Sequence, residues 1–181
     1  MFDAQCDLAA LVYDADQDPD AVLREFAADL NARGVRTVGM VQAGQCADSS
    51  LSAVLVHTGE KLLLAQDFDP AARGCRLDLG RLQNAAARVA NALESGADLL
   101  IINRFGKRES AGQGLAYLIE RALDADIPVV IAVSAHRFAD WIKFAGGMER
   151  QTPLRPSRLG CVVAWRLDAR WRRARSASNG L

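Results

Sequence analysis

Apolar positions fall along this chain in two rhythms. Leu8 to Tyr13, Leu99 to Ile102 and Ile127 to Val133 are unbroken apolar blocks, each too short for anything but a strand. A strand apolar on both faces belongs in a parallel sheet covered by helices on both sides. Between these blocks the spacing is helical. Val22, Leu23, Phe26, Ala27 and Leu30 form one stripe, and Leu79, Leu82, Ala86, Val89, Ala90 and Leu93 a second. Leu115, Leu118, Ile119, Ala122 and Leu123 form a third, and Phe138, Trp141, Ile142 and Phe144 a fourth. Asp18 with Pro19, and Asp78, stand where helix caps belong, while Gly34, Gly96 and Gly146-Gly147 stand at helix ends.

Arg36 to Gln42 reads as a further strand, and residues 44–50 are small and polar, hence a loop. Ala53 to His57 and Lys61 to Gln66 flank Thr58-Gly59-Glu60 and predict a hairpin. Asp67 to Asp78 is a polar connection, and Cys161 to Trp165 is a last strand beyond Pro153 and Pro156. The predicted order is β-α-β, hairpin, α-β-α-β-α-β. It implies a three-layer α/β domain over residues 1–167, with a mostly parallel sheet and an inserted β-hairpin. Residues 168–181 form a basic tail.

Half of the 181 residues are apolar, enough for one domain with a core. No apolar run approaches the ~20 residues of a membrane helix, and the start, MFDAQCD, lacks the basic and apolar regions of a secretion signal. The expectation is a soluble, cytoplasmic protein with no membrane partner. Charge changes that picture only at the ends. The chain has 22 basic and 22 acidic side chains, yet residues 150–181 hold eight basic and one acidic. Residues 1–20 hold six aspartates and no base. A basic tail can meet nucleic acid or an acidic partner, but a solvated end explains it as simply. Trp165 and Trp171 among the arginines could stack on bases, and they fit a strand end and an amphipathic tail equally well.

Cys6, Cys46, Cys75 and Cys161 are scattered, and neither His57 nor His136 shares a motif with any of them, so the pattern argues against a zinc site. Cys75, beside Arg73 and Arg76, could titrate low as a thiolate, but no partner base accompanies it in the motif. Ser134-Ala135-His136 does not match a G-x-S-x-G elbow, and Ser134 suits a helix cap. Trp141 and Phe144 are expected in the core.

The loop behind the first strand decides more. A phosphate-binding turn there needs glycines, whose N–H groups surround phosphate, and a lysine. Tyr13-Asp14-Ala15-Asp16-Gln17-Asp18-Pro19-Asp20 offers neither. Its carboxylates would repel a triphosphate; they could hold a hard cation, or serve only as a solvated cap. The strand Leu99 to Ile102 has the apolar run of a Walker B strand, which ends in Asp and commonly a following Glu. Here Asn103 and Arg104 follow, and neither supplies a negative charge or a base. Nucleotide hydrolysis is not expected.

Three stretches, ALVYDADQD, QDFDPAARGCRLD and LLIINRFGKRESAGQGL, resemble the bacterial domain-of-unknown-function family 2478 over residues 7 to 150. The resemblance implies a degenerate P-loop nucleoside-triphosphatase fold in which Asn103 to Lys107 fall on a D-E-I-G-K motif. Both acidic positions are lost and Gly106-Lys107 is kept. It also implies a genomic association with molybdenum transport, and no established activity.

The cationic and glycine-bearing groups that remain suit an anion. Arg104, Lys107 and Arg108 follow one strand, with Asn103 and Gly106 beside them; Gly112 and Gly114 flank Gln113 before the next helix; Arg73, Gly74 and Arg76 lie in the preceding connection. If these loops meet at one sheet edge, Arg73, Gly74, Arg76, Asn103, Arg104, Gly106, Lys107, Gly112 and Gly114 build a ligand pocket. Alternatively, Arg104 and Arg108 pair with Glu109 or with Asp67 and Asp69 and only brace loops. The leading expectation is a non-hydrolysing protein that binds a small anion or nucleotide fragment, as a sensor or accessory factor near molybdate or other metal-oxyanion handling. It has no catalytic residue, cofactor or metal. One rival is a transferase or hydrolase using Lys107 and Arg104 for transition-state charge. The other is an interaction module docking through the basic tail. Nucleic acid is not the expected partner, and homo-oligomerisation stays open.

Overall fold

The computed structural model describes residues 7–43, 51–65, 77–148 and 162–166. Its strands are β1 (Leu8–Tyr13), β2 (Thr37–Ala43), β3 (Ser52–Leu55), β4 (Lys61–Leu63), β5 (Leu99–Ile102), β6 (Val129–Ser134) and β7 (Val162–Arg166). The helices are α1 (Pro19–Ala32), α2 (Leu79–Glu94), α3 (Lys107–Ser110), α4 (Ala116–Asp124) and α5 (Phe138–Met148), with a 3-10 turn over Ala135–Arg137 before α5. One seven-stranded sheet runs β4-β3-β2-β5-β6-β1-β7. The stretch from β2 to β7 is parallel, and the β3–β4 hairpin extends it antiparallel beyond β2. The predicted three-layer α/β sheet with a hairpin is the observed one, and it is consistent with a P-loop nucleoside-triphosphatase-like fold.

Topology explains the layering. The chain leaves β1 for β2 in one direction, then returns through β5 and β6 to β7 in the other. Parallel crossovers keep one hand, so helices of the two directions must lie on opposite faces. The side chains show it. Ala9, Leu11, Tyr13, Leu99, Ile101, Val130 and Ala132 pack on Leu23 and Ala27 of α1. Their strand neighbours Ala10, Val12, Leu100, Ile102, Ile131 and Val133 pack with Val89 of α2, Ile119 of α4 and Trp141 of α5. That period-2 alternation is why these blocks need apolar residues at every position.

The Asp18 and Asp78 caps form as the sequence predicts. Asp18 Oδ1 accepts from the N–H groups of Asp20 and Ala21 at 3.0 and 3.1 Å, and Asp78 Oδ1 from Arg81 at 2.9 Å. Gly39, within β2, has φ +144°, and a Cβ there would overlap the Ile101 carbonyl on β5. Several boundaries need correction. The hairpin strands are shorter than predicted, β6 starts two residues later and ends one residue later, α3 forms within the expected loop, and α5 runs through Gly146-Gly147 to Met148 instead of stopping there. Leu79 and Ile142, placed on inward stripes by spacing, are 43% and 45% exposed. Among the described residues no helix is long and apolar enough to cross a membrane. The tail of residues 168–181 and all four cysteines lie outside the described residues.

Candidate functional site

At the carboxyl edge, α1 starts directly behind β1, and its first N–H groups are already taken by Asp18. The loop closes on itself: Gln17 donates its N–H to the Asp14 carbonyl at 3.1 Å, and Asp14 donates to Gln17 Oε1 at 2.8 Å. Asp20 turns toward β5. Its carboxylate accepts from Asn103 Nδ2 and forms an ion pair with Arg104 at 3.1 Å. The same guanidinium carbon sits 5.6 Å from the centre of the Tyr13 ring, within cation–π range. Arg104 therefore does not pair with Glu109 as one reading of the sequence had it; Asp67 and Asp69 lie outside the described residues. Nor do the aspartates gather: among the described residues no three His, Cys, Asp or Glu side chains come together as a metal would need.

Beyond Arg104 the chain wraps around a buried acid. Phe105 is buried against Trp141 and Phe144, with ring centres 5.2 and 5.3 Å away. Glu109 is 6% exposed, and its two oxygens accept the N–H groups of Gly106 and Leu115, each at 3.0 Å. One carboxylate thus closes the segment from Gly106 to Leu115. The turn needs Gly114, at φ +62°, because a Cβ there would overlap Glu109 Oε1. The expected outward N–H groups near Gly112 are committed instead: Gly112 donates to the Glu109 carbonyl at 3.0 Å and Gln113 to the Arg108 carbonyl at 2.8 Å. Gly112 and Gly114 shape the loop and do not line the cleft described next.

That cleft, about 250 Å³, opens at the carboxyl ends of β2 and β5. Its apolar wall is Met40, Leu51, Ala53, Leu64, Leu77, Leu82 and Leu115; Gln42 and Asn103 add amides, and Arg104, Gly106, Lys107, Arg108 and Glu109 complete the lining. Lys107 and Arg108 are exposed, and among the described residues neither has an ion-pair partner. Asn103 is 7% exposed, and its Oδ1 is buried without a hydrogen-bond partner. Ala65 and Leu77 bridge to each other beside the cleft. Between them run residues 66–76; Arg73, Gly74 and Arg76 fall in that stretch and lie outside the described residues.

Other candidates sit apart. Ser134 occupies the cap position of the 3-10 turn, but its hydroxyl makes no capping bond and lies 3.4 Å from His136 Nε2, too long for a strong one. Trp141 is fully buried, as expected. His57 lies in the β3–β4 turn; burial, and then Arg88 nearby, hold its imidazole below the ordinary value against a backbone hydrogen bond to Gly39. Sequence reasoning missed Asp20 as partner of Arg104, because 84 residues separate them. It also missed Glu109 as the loop's centre, although Glu three residues after Gly106 is a capping-box spacing.

Comparison with known proteins bears on the family and the fold. The family described as "Protein of unknown function (DUF2478)" matches residues 8–165, and the chain belongs to it. The chain is also similar to a protein of Bradyrhizobium diazoefficiens (strain USDA 110), "Molybdenum import ATP-binding protein ModC 2", with 37% identity over 145 residues. That match covers 78% of this chain and 16% of the relative, so the chain spans a small part of the protein that bears the name.

Proposed function

We propose that this protein binds a small anion without hydrolysing a nucleotide, as a cytoplasmic accessory or sensor factor in molybdate handling. One observation carries the reading: Lys107 and Arg108, without ion-pair partners among the described residues, border a cleft at the carboxyl edge of the sheet, while the turn behind β1 is filled by the chain's own carboxylates. Open α/β sheets bind ligands at that edge. A phosphate at α1 would meet Asp18 and Asp20 before any free N–H group. Asn103 and Arg104 bring no carboxylate to the end of β5, and Asp20, the carboxylate beside them, is engaged by both side chains, which argues against a held catalytic magnesium or a polarised water. Lys107 and Arg108 supply charge, with Asn103, Arg104 and Gly106 beside them. Arg73, Gly74 and Arg76 belong to the same proposal, since their stretch leaves and re-enters the described chain at residues beside the cleft. The molybdate link is drawn from the relative's printed name and from the family resemblance.

A thermal-shift panel of molybdate, tungstate, phosphate and mononucleotides tests the binding. At least one anion should raise the melting temperature, and Lys107→Ala should remove the rise. Phosphate release from ATP or GTP at ~1 per second or faster, lost in Lys107→Ala, would establish the enzyme reading instead.

A further inference from the structure

The cleft's lining says more about its ligand than its charge does. A site for a bare oxyanion is small and lined by N–H groups and cations. Among the described residues this one sets seven apolar side chains beside the cations Arg104, Lys107 and Arg108. Resting on the anion-binding reading, we infer that the ligand is amphipathic: an apolar, ring-sized body against the leucine wall, with one anionic group at Lys107 and Arg108. Three observations converge on that class. Leu51 and Leu82 are only partly buried in the folded chain, which leaves apolar surface for a ligand to cover. Arg104 also lines the cleft, but Asp20 already balances its charge, and the Glu109 carboxylate there is engaged by two backbone N–H groups, so among the described residues the unpaired positive charge is that of Lys107 and Arg108, enough for one anionic group. Asn103 lines the same cleft and carries a buried acceptor, Oδ1, that has no partner, which a hydrogen-bond donor on the ligand's body would satisfy once the amide shifts to expose it. Size sets a limit as well. At about 250 Å³ the cleft lies just below the range of ~300–1,000 Å³ usual for small-molecule sites. It takes one ring system and one charged group, not a dinucleotide.

The probes are phenyl phosphate, inorganic phosphate, molybdate and phenol, titrated calorimetrically into the full chain. Phenyl phosphate should bind at least about tenfold more tightly than either inorganic anion, the least that covering one ring face brings. Phenol, lacking the charge, should be weaker by a similar factor. Leu82→Ser should weaken phenyl phosphate while leaving inorganic phosphate unchanged, and Lys107→Ala should weaken both. Circular dichroism and melting temperature confirm that each variant is folded, and Leu51→Ser repeats the wall test on a different element. If molybdate or phosphate binds as tightly as phenyl phosphate and ignores Leu82→Ser and Leu51→Ser, the amphipathic ligand is refuted and anion binding stands. If phenol matches phenyl phosphate and Lys107→Ala changes nothing, the cleft is merely apolar and both readings fall. No binding by any probe overturns both.

Discussion

Replacing Glu109 with alanine should loosen the segment that carries Lys107 and Arg108, and the cost can be worked from its contacts. The carboxylate is 6% exposed and accepts two backbone N–H groups at 3.0 Å each. Hydrogen bonds to a charged group contribute about 1.5–3 kcal/mol apiece. Removing the acid leaves two donors to find water, but it also removes a buried charge whose desolvation offsets part of the gain. A net loss of about 3 kcal/mol follows. For a chain of this size each kcal/mol moves the melting temperature by about 2–4 °C, so the shift should be roughly 6–12 °C. Glu109→Gln keeps one acceptor but turns an NH2 toward the other N–H, and should cost about 2 kcal/mol. Urea denaturation followed by circular dichroism gives both values. Gly114→Ala supplies a cross-check, because its added Cβ collides with the Glu109 carboxylate. In the Glu109→Ala background its penalty should shrink toward the roughly 1–2 kcal/mol that a positive φ costs a residue other than glycine, with the close approach to the Arg108 Cβ at 3.1 Å remaining. A loss under about 1 kcal/mol for Glu109→Ala, or equal Gly114→Ala penalties in the two backgrounds, would show that the carboxylate does not hold the loop.

Other outcomes follow from the same geometry. Gly39→Ala should prevent β2 from pairing closely with β5, because its Cβ would occupy the position of the Ile101 carbonyl; expression as insoluble or molten protein is expected, and a normal melting curve would contradict it. His57 has a lowered folded pKa, so the unfolded chain binds more protons below the ordinary value of 6.5; stability should be complete above that pH and decline as pH falls below it. Glu60 and Asp98, held low chiefly by hydrogen bonds from Arg88 and from the Arg36 backbone, add losses only as pH falls through the ordinary carboxylate values and below. His57→Gln should therefore flatten the Tm profile between pH 7 and about 5 and leave the steeper acid limb; an unchanged profile would clear His57 of the effect.

Periodicity revealed most of the fold because the buried strands are apolar at every position and the helices carry clear stripes. Asp18, Asp78, Gly34 and Gly96 marked helix ends because capping is local chemistry, readable within four residues. What spacing could not show depends on distant partners. Leu79 and Ile142 lie at stripe positions, yet each falls past the edge of what its neighbours cover. Gly112 and Gly114 looked like anion donors because a glycine-rich turn before a helix has that use. Here a buried acid between Arg108 and Ser110 commands the turn, and which N–H groups it accepts is settled only by how the loop folds around it. The loop's proximity to a cleft was foreseeable from strand order, since β5 ends at the carboxyl edge; the leucine wall was not, because it joins residues from five separate stretches.

Asp20 and Arg104 explain each other, and that coupling bears directly on hydrolysis. A carboxylate at position 104, as a hydrolytic strand end would have, would face Asp20 across the present ion-pair distance of 3.1 Å. At an effective dielectric of ~20, like charges about 4 Å apart repel by ~4 kcal/mol. Arg104 is 40% exposed, so solvent screens much of that, and roughly 2 kcal/mol is a fair expectation for Arg104→Glu alone. Placing a basic residue at position 20 as well should recover most of the loss, because the pair is restored with its sign reversed. The combined Asp20→Arg and Arg104→Glu variant should therefore be more stable than Arg104→Glu alone, and the gap should narrow at 0.5 M salt. It should still release no phosphate from ATP, since the turn behind β1 would remain without glycine and Asp18 would still occupy the first N–H groups of α1. If the double variant is no more stable than the single one, the contact between β5 and α1 is not electrostatic. Arg104 would then stay in place through Tyr13 and packing alone.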